Sequence, residues 1–74
     1  MNLEQLPVGQ LACIASVDAE DPVMLRLMEM GLVPGTPIAV RKRAPFGGPL
    51  ELRVRDYLLS LRRTEARRVF VDRG

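Results

Sequence analysis

The sequence contains no histidine. The commonest general base and the commonest transition-metal ligand are therefore both missing. It also has no tryptophan and only three aromatic residues, Phe46, Tyr57 and Phe70, a poor stacking platform for single-stranded nucleic acid. Cysteine occurs once, at Cys13, so no internal disulfide can form and a reducing compartment is expected. No apolar run approaches the ~20 residues that cross a bilayer. The segment from Met1 to Gln10 lacks the basic start and continuous apolar stretch of an export signal. These absences predict a cytoplasmic protein that is not inserted in a membrane, is not an enzyme and has no resident cofactor.

What is present is a short chain with unevenly placed charge. Its 74 residues suit one domain, 1–74, and leave no room for a second compact unit. The formal net charge is only +2. Most acids nevertheless precede Gly31, while Arg41, Lys42, Arg43, Arg53, Arg55, Arg62, Arg63, Arg67, Arg68 and Arg73 follow it. A basic half of this kind attracts acidic protein, anionic lipid or nucleic acid. Few aromatics and no helix with a basic recognition face argue against nucleic acid as the partner.

The pattern along the chain predicts five short strands and one inserted helix. Asn2 can cap a single turn that ends at Pro7, with Leu3 and Leu6 covering one end of the core. Gln10 to Val17 reads as the first strand. Asp21 then supplies an N-cap, Pro22 a first helical position and Gly31 a left-handed C-terminal stop, with Val23, Leu27 and Met30 at helical spacing. Ile38 to Ala44 makes a second strand with Ile38 and Val40 inward and Arg41 and Arg43 outward. Pro45-Phe46-Gly47-Gly48-Pro49 breaks the pattern as a hairpin tip, where Gly47 and Gly48 permit positive φ. In the third strand Leu50, Leu52 and Val54 alternate with Glu51, Arg53 and Arg55. Tyr57 to Leu61 forms the fourth, Arg63 to Arg67 a further turn capped by Thr64, and Val69 to Val71 the fifth, with Phe70 facing or bordering the core. The fold class is mainly β, a small partly open five-stranded barrel with one short inserted helix.

Candidate chemistry is sparse. Cys13, inside an apolar strand, reads as a buried small hydrophobe. Asp18, Glu20 and Asp21 could hold a hard cation weakly, but capping and the helix dipole are the favoured reading. Met24, Met28 and Met30 are packing residues or part of an adaptable binding surface rather than copper ligands. The hairpin tip lacks the lysine and following helix of a phosphate cradle. Phe46 is the residue a purely structural tip leaves unexplained, because a large apolar side chain on a stiff loop suits a partner's pocket.

Taken together, Leu27, Met30-Gly31-Leu32, Pro34-Gly35-Thr36, Ala44-Pro45-Phe46-Gly47-Gly48-Pro49, Leu61-Arg62-Arg63 and Ala66 give the chain a family likeness. From about Leu6 to Val71 it resembles the FeoA family of bacterial ferrous-iron transport accessory proteins. The resemblance implies an SH3-like barrel, similar also to the C-terminal domain of DtxR-type iron-dependent repressors. It further implies a cytoplasmic accessory that binds and modulates FeoB, the membrane ferrous-iron transporter. Family-level transition-metal binding comes with it, although the residues present support weak binding at most.

For partner binding the residues put forward are Phe46, Tyr57 and Leu58 as apolar contacts and Met28 as an adaptable rim. Arg41, Arg43, Arg53 and Arg55 serve as electrostatic guides, expected on one face. The alternative is a transition-metal-responsive regulatory domain of the kind appended to iron-dependent repressors. Weak homo-oligomerisation through a free barrel edge is a third arrangement the pattern allows.

Overall fold

The structure, a computed structural model, describes residues 1–18 and 20–73. A 3-10 turn at Leu3–Gln5 is followed by β1 (Leu11–Val17), α1 (Pro22–Glu29), β2 (Pro37–Arg43), β3 (Leu50–Val54), β4 (Tyr57–Leu61), α2 (Arg63–Ala66) and β5 (Val69–Arg73). The strands form one antiparallel sheet in the order β4-β3-β2-β1-β5. This is the mainly β, five-stranded architecture that the alternation predicts.

One face of the sheet is apolar because strand side chains alternate. Ile14, Ile38, Val40, Leu52, Val54 and Val71 are all buried on that face. Two bulges bend it, one between Ile14 and Ser16 in β1 and one between Val40 and Lys42 in β2. An extra residue on one strand increases local twist and allows a short sheet to curl around its own core. The N-terminal turn closes one end, where Leu3 and Leu6 are buried. Asn2 Oδ1 accepts from Gln5 N at 3.2 Å while Gln5 Oε1 accepts from Asn2 N at 2.9 Å, a reciprocal capping box.

The sequence punctuation of α1 is realised at both ends. Asp21 Oδ1 accepts from Val23 N at 2.8 Å, and Pro22 occupies the first turn, where no N–H is needed. At the other end Gly31 takes φ 109°, Gly31 N donates to Met28 O at 3.0 Å and Leu32 N to Leu27 O at 3.1 Å. Together these bonds make a Schellman stop, sealed by two buried leucines, Leu27 and Leu32. Thr36, the one buried polar residue among the described residues, donates from Oγ1 to Gly31 O at 3.1 Å.

Four local expectations are corrected. Met24 and Leu27 face the core, whereas Val23 and Met30 are exposed, because the sheet meets α1 on a narrower stripe than the apolar spacing suggested. Cys13 is exposed: Ala12 and Ile14 take the inward positions of β1, and alternation turns Cys13 out. Phe70 is likewise outward, between inward Val69 and Val71. Arg62 rather than Thr64 holds the N-cap position of α2, its N–H donating to Glu65 Oε1 at 2.8 Å.

Gly31 carries two constraints at once, a left-handed backbone and a Tyr57 Oη only 2.8 Å from where a Cβ would stand. Gly31→Ala is expected to destabilise by at least about 2 kcal/mol, combining backbone strain with overpacking. Gly9→Ala, at φ 86° with open space around it, should cost about 1 kcal/mol from the backbone alone. Urea titrations measure both, and Tyr57→Phe should recover part of the Gly31→Ala loss and none of the Gly9→Ala loss.

Candidate partner-binding surface

The β2–β3 hairpin tip is a tight turn held from outside. Gly48 N donates to Pro45 O at 3.2 Å, and the two central residues, Phe46 at φ 58° and Gly47 at φ 74°, are both left-handed. This is the geometry of a type I′ turn, whose twist matches the strands it joins. Positive φ therefore falls on Phe46 and Gly47, not on the expected Gly47 and Gly48 pair. Glycine meets it freely, but a bulky phenylalanine does not.

Phe46 is fully exposed, at 104% of its reference area. Its side chain gains nothing from the core, and its backbone is strained.

The base of the hairpin is fixed by two sets of bonds. Ala44 N donates to Pro49 O at 3.0 Å. From α2, Arg63 donates through Nε to Gly48 O at 3.0 Å and through Nη2 to Ala44 O at 3.1 Å. One planar guanidinium thus grips a carbonyl on each side of the tip, a task its fork geometry suits. Arg63 is assigned by the sequence pattern to a basic half, a helical turn and a family-like block, but not to the hairpin. Its place one turn after β4, where the chain doubles back toward the hairpin, is visible only once strand order is known.

At the opposite end of β3, the two-residue turn Arg55-Asp56 joins β3 to β4, with Arg55 at φ 55°. Arg41, Arg53, Asp56, Tyr57 and Leu58 line a shallow depression there of about 240 Å³. Leu58 is half exposed, and Tyr57 packs partly against the core while its Oη donates to Met30 O at the end of α1. Met28 is partly buried on α1.

The proposed residues therefore divide between two places. Phe46 lies beyond the Leu50 end of β3 and Tyr57 beyond its Val54 end, about 13 Å of strand apart.

The expected shared face of the arginines holds in part. Arg41, at the β2 bulge and paired with Glu51 at 3.0 Å, and Arg53, projecting outward from β3, meet at the depression, but Arg43 does not join them. Past the bulge the alternation shifts, and Arg43 stands opposite the inward Leu50. It is partly buried and donates to the carbonyls of Glu4 and Leu6, fastening the N-terminal turn to β2. The expectation that Arg43 faces outward with Arg41 is corrected by that one extra residue.

The acidic cluster before α1 is held by an arginine. Arg68 pairs with Asp18 at 2.7 Å and also with Asp21. The hydrogen bond from Arg68, then that from Glu20 N, lowers the Asp18 pKa below the ordinary carboxylate value. For Asp21 the bond from Val23 N is the larger cause and Arg68 the second. Glu4 is lowered first by its bond from Arg67. Among the described residues no three histidine, cysteine, aspartate or glutamate side chains converge as metal ligands. Cys13 stands opposite Asp72 across β1 and β5, a pair without a third donor of that kind. These residues do not fit a resident transition metal, which needs several converging ligands.

An FeoA domain family model matches residues 1–73. The chain is 38% identical over 72 residues to a Porphyromonas gingivalis fusion of Fe(2+) transport protein A with the Fe(2+) transporter FeoB; the match covers 97% of this chain and 8% of the fusion protein. Among solved structures it superposes on the FeoA protein of Chlorobium tepidum with a TM-score of 0.87 at 42% identity, covering 96% of this chain and 68% of that one. It also superposes on Stenotrophomonas maltophilia FeoA, crystallised with zinc and described as an SH3 domain protein, with a TM-score of 0.86 at 37% identity, covering 97% and 89%. A manganese-dependent transcriptional repressor shares the fold over 41% of its length, with a TM-score of 0.87 at 21% identity.

The lowered carboxylates give stability a pH dependence of definite sign. Depressed in the folded state, they bind protons more tightly when unfolded, so they stabilise above the unfolded pKa and that contribution disappears as pH falls through the folded one. The urea midpoint is expected to fall as pH drops below about 4, the ordinary carboxylate range. Arg68→Gln should make the fall shallower, because Asp18 and Asp21 then titrate closer to their unfolded values. Urea titrations of both proteins at neutral and acid pH measure the difference.

Proposed function

The chain belongs to the FeoA domain family, a family linked to ferrous-iron transport, and we propose that it is a non-enzymatic cytoplasmic accessory that docks on a FeoB-type transporter and modulates it. The observation that carries the proposal is the relative in which the corresponding domain and a FeoB transporter are one polypeptide. Fusion raises the effective concentration of one module near the other, an arrangement useful where the two engage each other directly. A separate chain must reach the same contact through its own affinity.

The hairpin supplies a physical basis for that affinity. An aromatic anchor held rigidly loses little conformational entropy on entering a pocket, so more of its burial appears as binding. Exposed Arg53 and Arg55, which form no ion pair among the described residues, would steer the chain toward acidic surface. No described helix is long and apolar enough to cross a membrane. In this reading the transporter supplies the membrane part, and the present chain works without a metal of its own.

A metal-responsive reading is supported by the zinc complex of the Stenotrophomonas maltophilia relative. Equilibrium dialysis with Fe²⁺, Mn²⁺ and Zn²⁺ separates the two. Stoichiometric micromolar binding favours metal response, and its absence favours a plain adaptor.

Phe46→Gly tests the docking reading because binding and stability should respond differently. The substitution removes the anchor and relieves the left-handed backbone. Retention by the full-length transporter should weaken by roughly tenfold or more, while the unfolding free energy stays level or rises by up to about 1 kcal/mol. Undiminished retention would remove Phe46 from the interface.

A further inference from the structure

The two edges of the sheet are treated differently. β5 is covered by the start of the chain: Val71 N donates to Met1 O at 2.9 Å, and Asn2 bridges to Phe70. β4 has β3 as its only strand neighbour among the described residues. Its pairing with β3 runs unbroken through five residue pairs from a two-residue turn. In such a hairpin the residues flanking the turn exchange backbone bonds, and alternate residues point their N–H and C=O away. Tyr57, Leu59 and Leu61 therefore bond to β3, while the backbone groups of Leu58 and Ser60 face outward.

Proteins usually blunt such an edge with a charge, a proline, a bulge or a covering loop. The sequence of β4, Tyr57-Leu58-Leu59-Ser60-Leu61, has neither charge nor proline, and its register with β3 has no bulge.

From this contrast we infer that β4 is a strand-addition site, and that its occupant is an extended, uncharged partner segment bracketed by acidic residues. Charge placement selects that chemistry. Arg53 and Arg55 outnumber Asp56 at one end of the edge, Arg62 lies at the other, and none of these three arginines forms an ion pair among the described residues. An added strand would gain backbone bonds along the uncharged middle and meet cations at both ends. A second copy of this chain fits less well. Laid antiparallel with Leu58 opposite Ser60, it would set Arg55 of one copy against Arg63 of the other at both ends, which the Asp56–Arg62 pairing of the same register offsets only in part.

The position of the edge also joins what otherwise falls into two sites. Leu61 pairs with Leu50 beside the Phe46 hairpin, and Tyr57 pairs with Val54 beside the depression. A segment running along β4 would therefore pass between both groups of candidate residues. The inference deepens the docking reading by naming how a partner is held, and rests on it only for who that partner is.

The test uses a fluorescent synthetic peptide of alternating valine and threonine with aspartates at both ends, together with a lysine-ended version and a backbone N-methylated version. The aspartate peptide should slow hydrogen exchange at the Leu58 and Ser60 amides. Ser60→Pro, which removes an outward N–H, should weaken its binding about fivefold or more. Leu58→Lys, a second variant in case the proline unfolds the chain, should weaken it as well, and the lysine-ended and N-methylated peptides should bind less tightly than the aspartate peptide. Protection located elsewhere, equal binding by the N-methylated peptide, or no binding at all would overturn the site. Light scattering that shows dimers with the same two amides protected would replace the acidic segment with a second copy and overturn the stated occupant. With the full-length transporter, weakening by Phe46→Gly but not by Ser60→Pro would reject strand addition and keep docking. A transporter that ignores the unsubstituted chain would reject docking, while the peptide measurements still decide the edge.

Discussion

Arg63 donates to the carbonyls of both Ala44 and Gly48, and the presentation of Phe46 depends on that grip. A short hairpin projecting from a small sheet would otherwise pivot at its base, and an exposed aromatic on it would lose entropy on binding. The guanidinium spans the hairpin because α2 follows β4 directly and brings Arg63 back toward the tip. A backbone strained at Phe46, with no intramolecular contact to repay it, is the kind of local cost found where a residue is kept for a partner.

The same device recurs at the other side of the sheet. Arg43, redirected by the β2 bulge, donates to the carbonyls of Glu4 and Leu6, and the turn it secures leads from the segment that covers β5. One edge is closed in this way and the opposite edge stays open. Four of the eleven lysines and arginines that make the sequence look like an electrostatic surface are thus structural. Arg43 and Arg63 bind backbone carbonyls, and Arg67 and Arg68 pair with Glu4, Asp18 and Asp21. Arg53, Arg55 and Arg62, which form no ion pair among the described residues, bracket β4.

Strand alternation, the Asp21-Pro22 start and the Gly31 stop were legible in the sequence because each depends on local geometry. The strict alternation of Leu50, Leu52 and Val54 placed the buried face of β3, although Arg55, read as the outward end of that strand, belongs to the turn. Cys13 and Phe70 were misassigned because an apolar residue in a strand does not reveal which face it takes when its neighbours are apolar too. Arg43 was misplaced because nothing local announces the bulge beside Arg41. The exposure of Phe46 could be anticipated from its loop, whereas the Arg63 clamp and the uncovered β4 edge could not. Both arise from pairing between segments distant in the chain, which a linear pattern does not record.

If this chain acts by docking, the most direct measurement is an amide NMR titration of the labelled protein with a full-length FeoB-type transporter. Loss or shift of signals should concentrate at Phe46, Gly47, Leu58 and Ser60, with little change around Asp18, Asp21 and Arg68. Perturbations centred on the Arg68 cluster, or none at saturating transporter, would contradict the central claim.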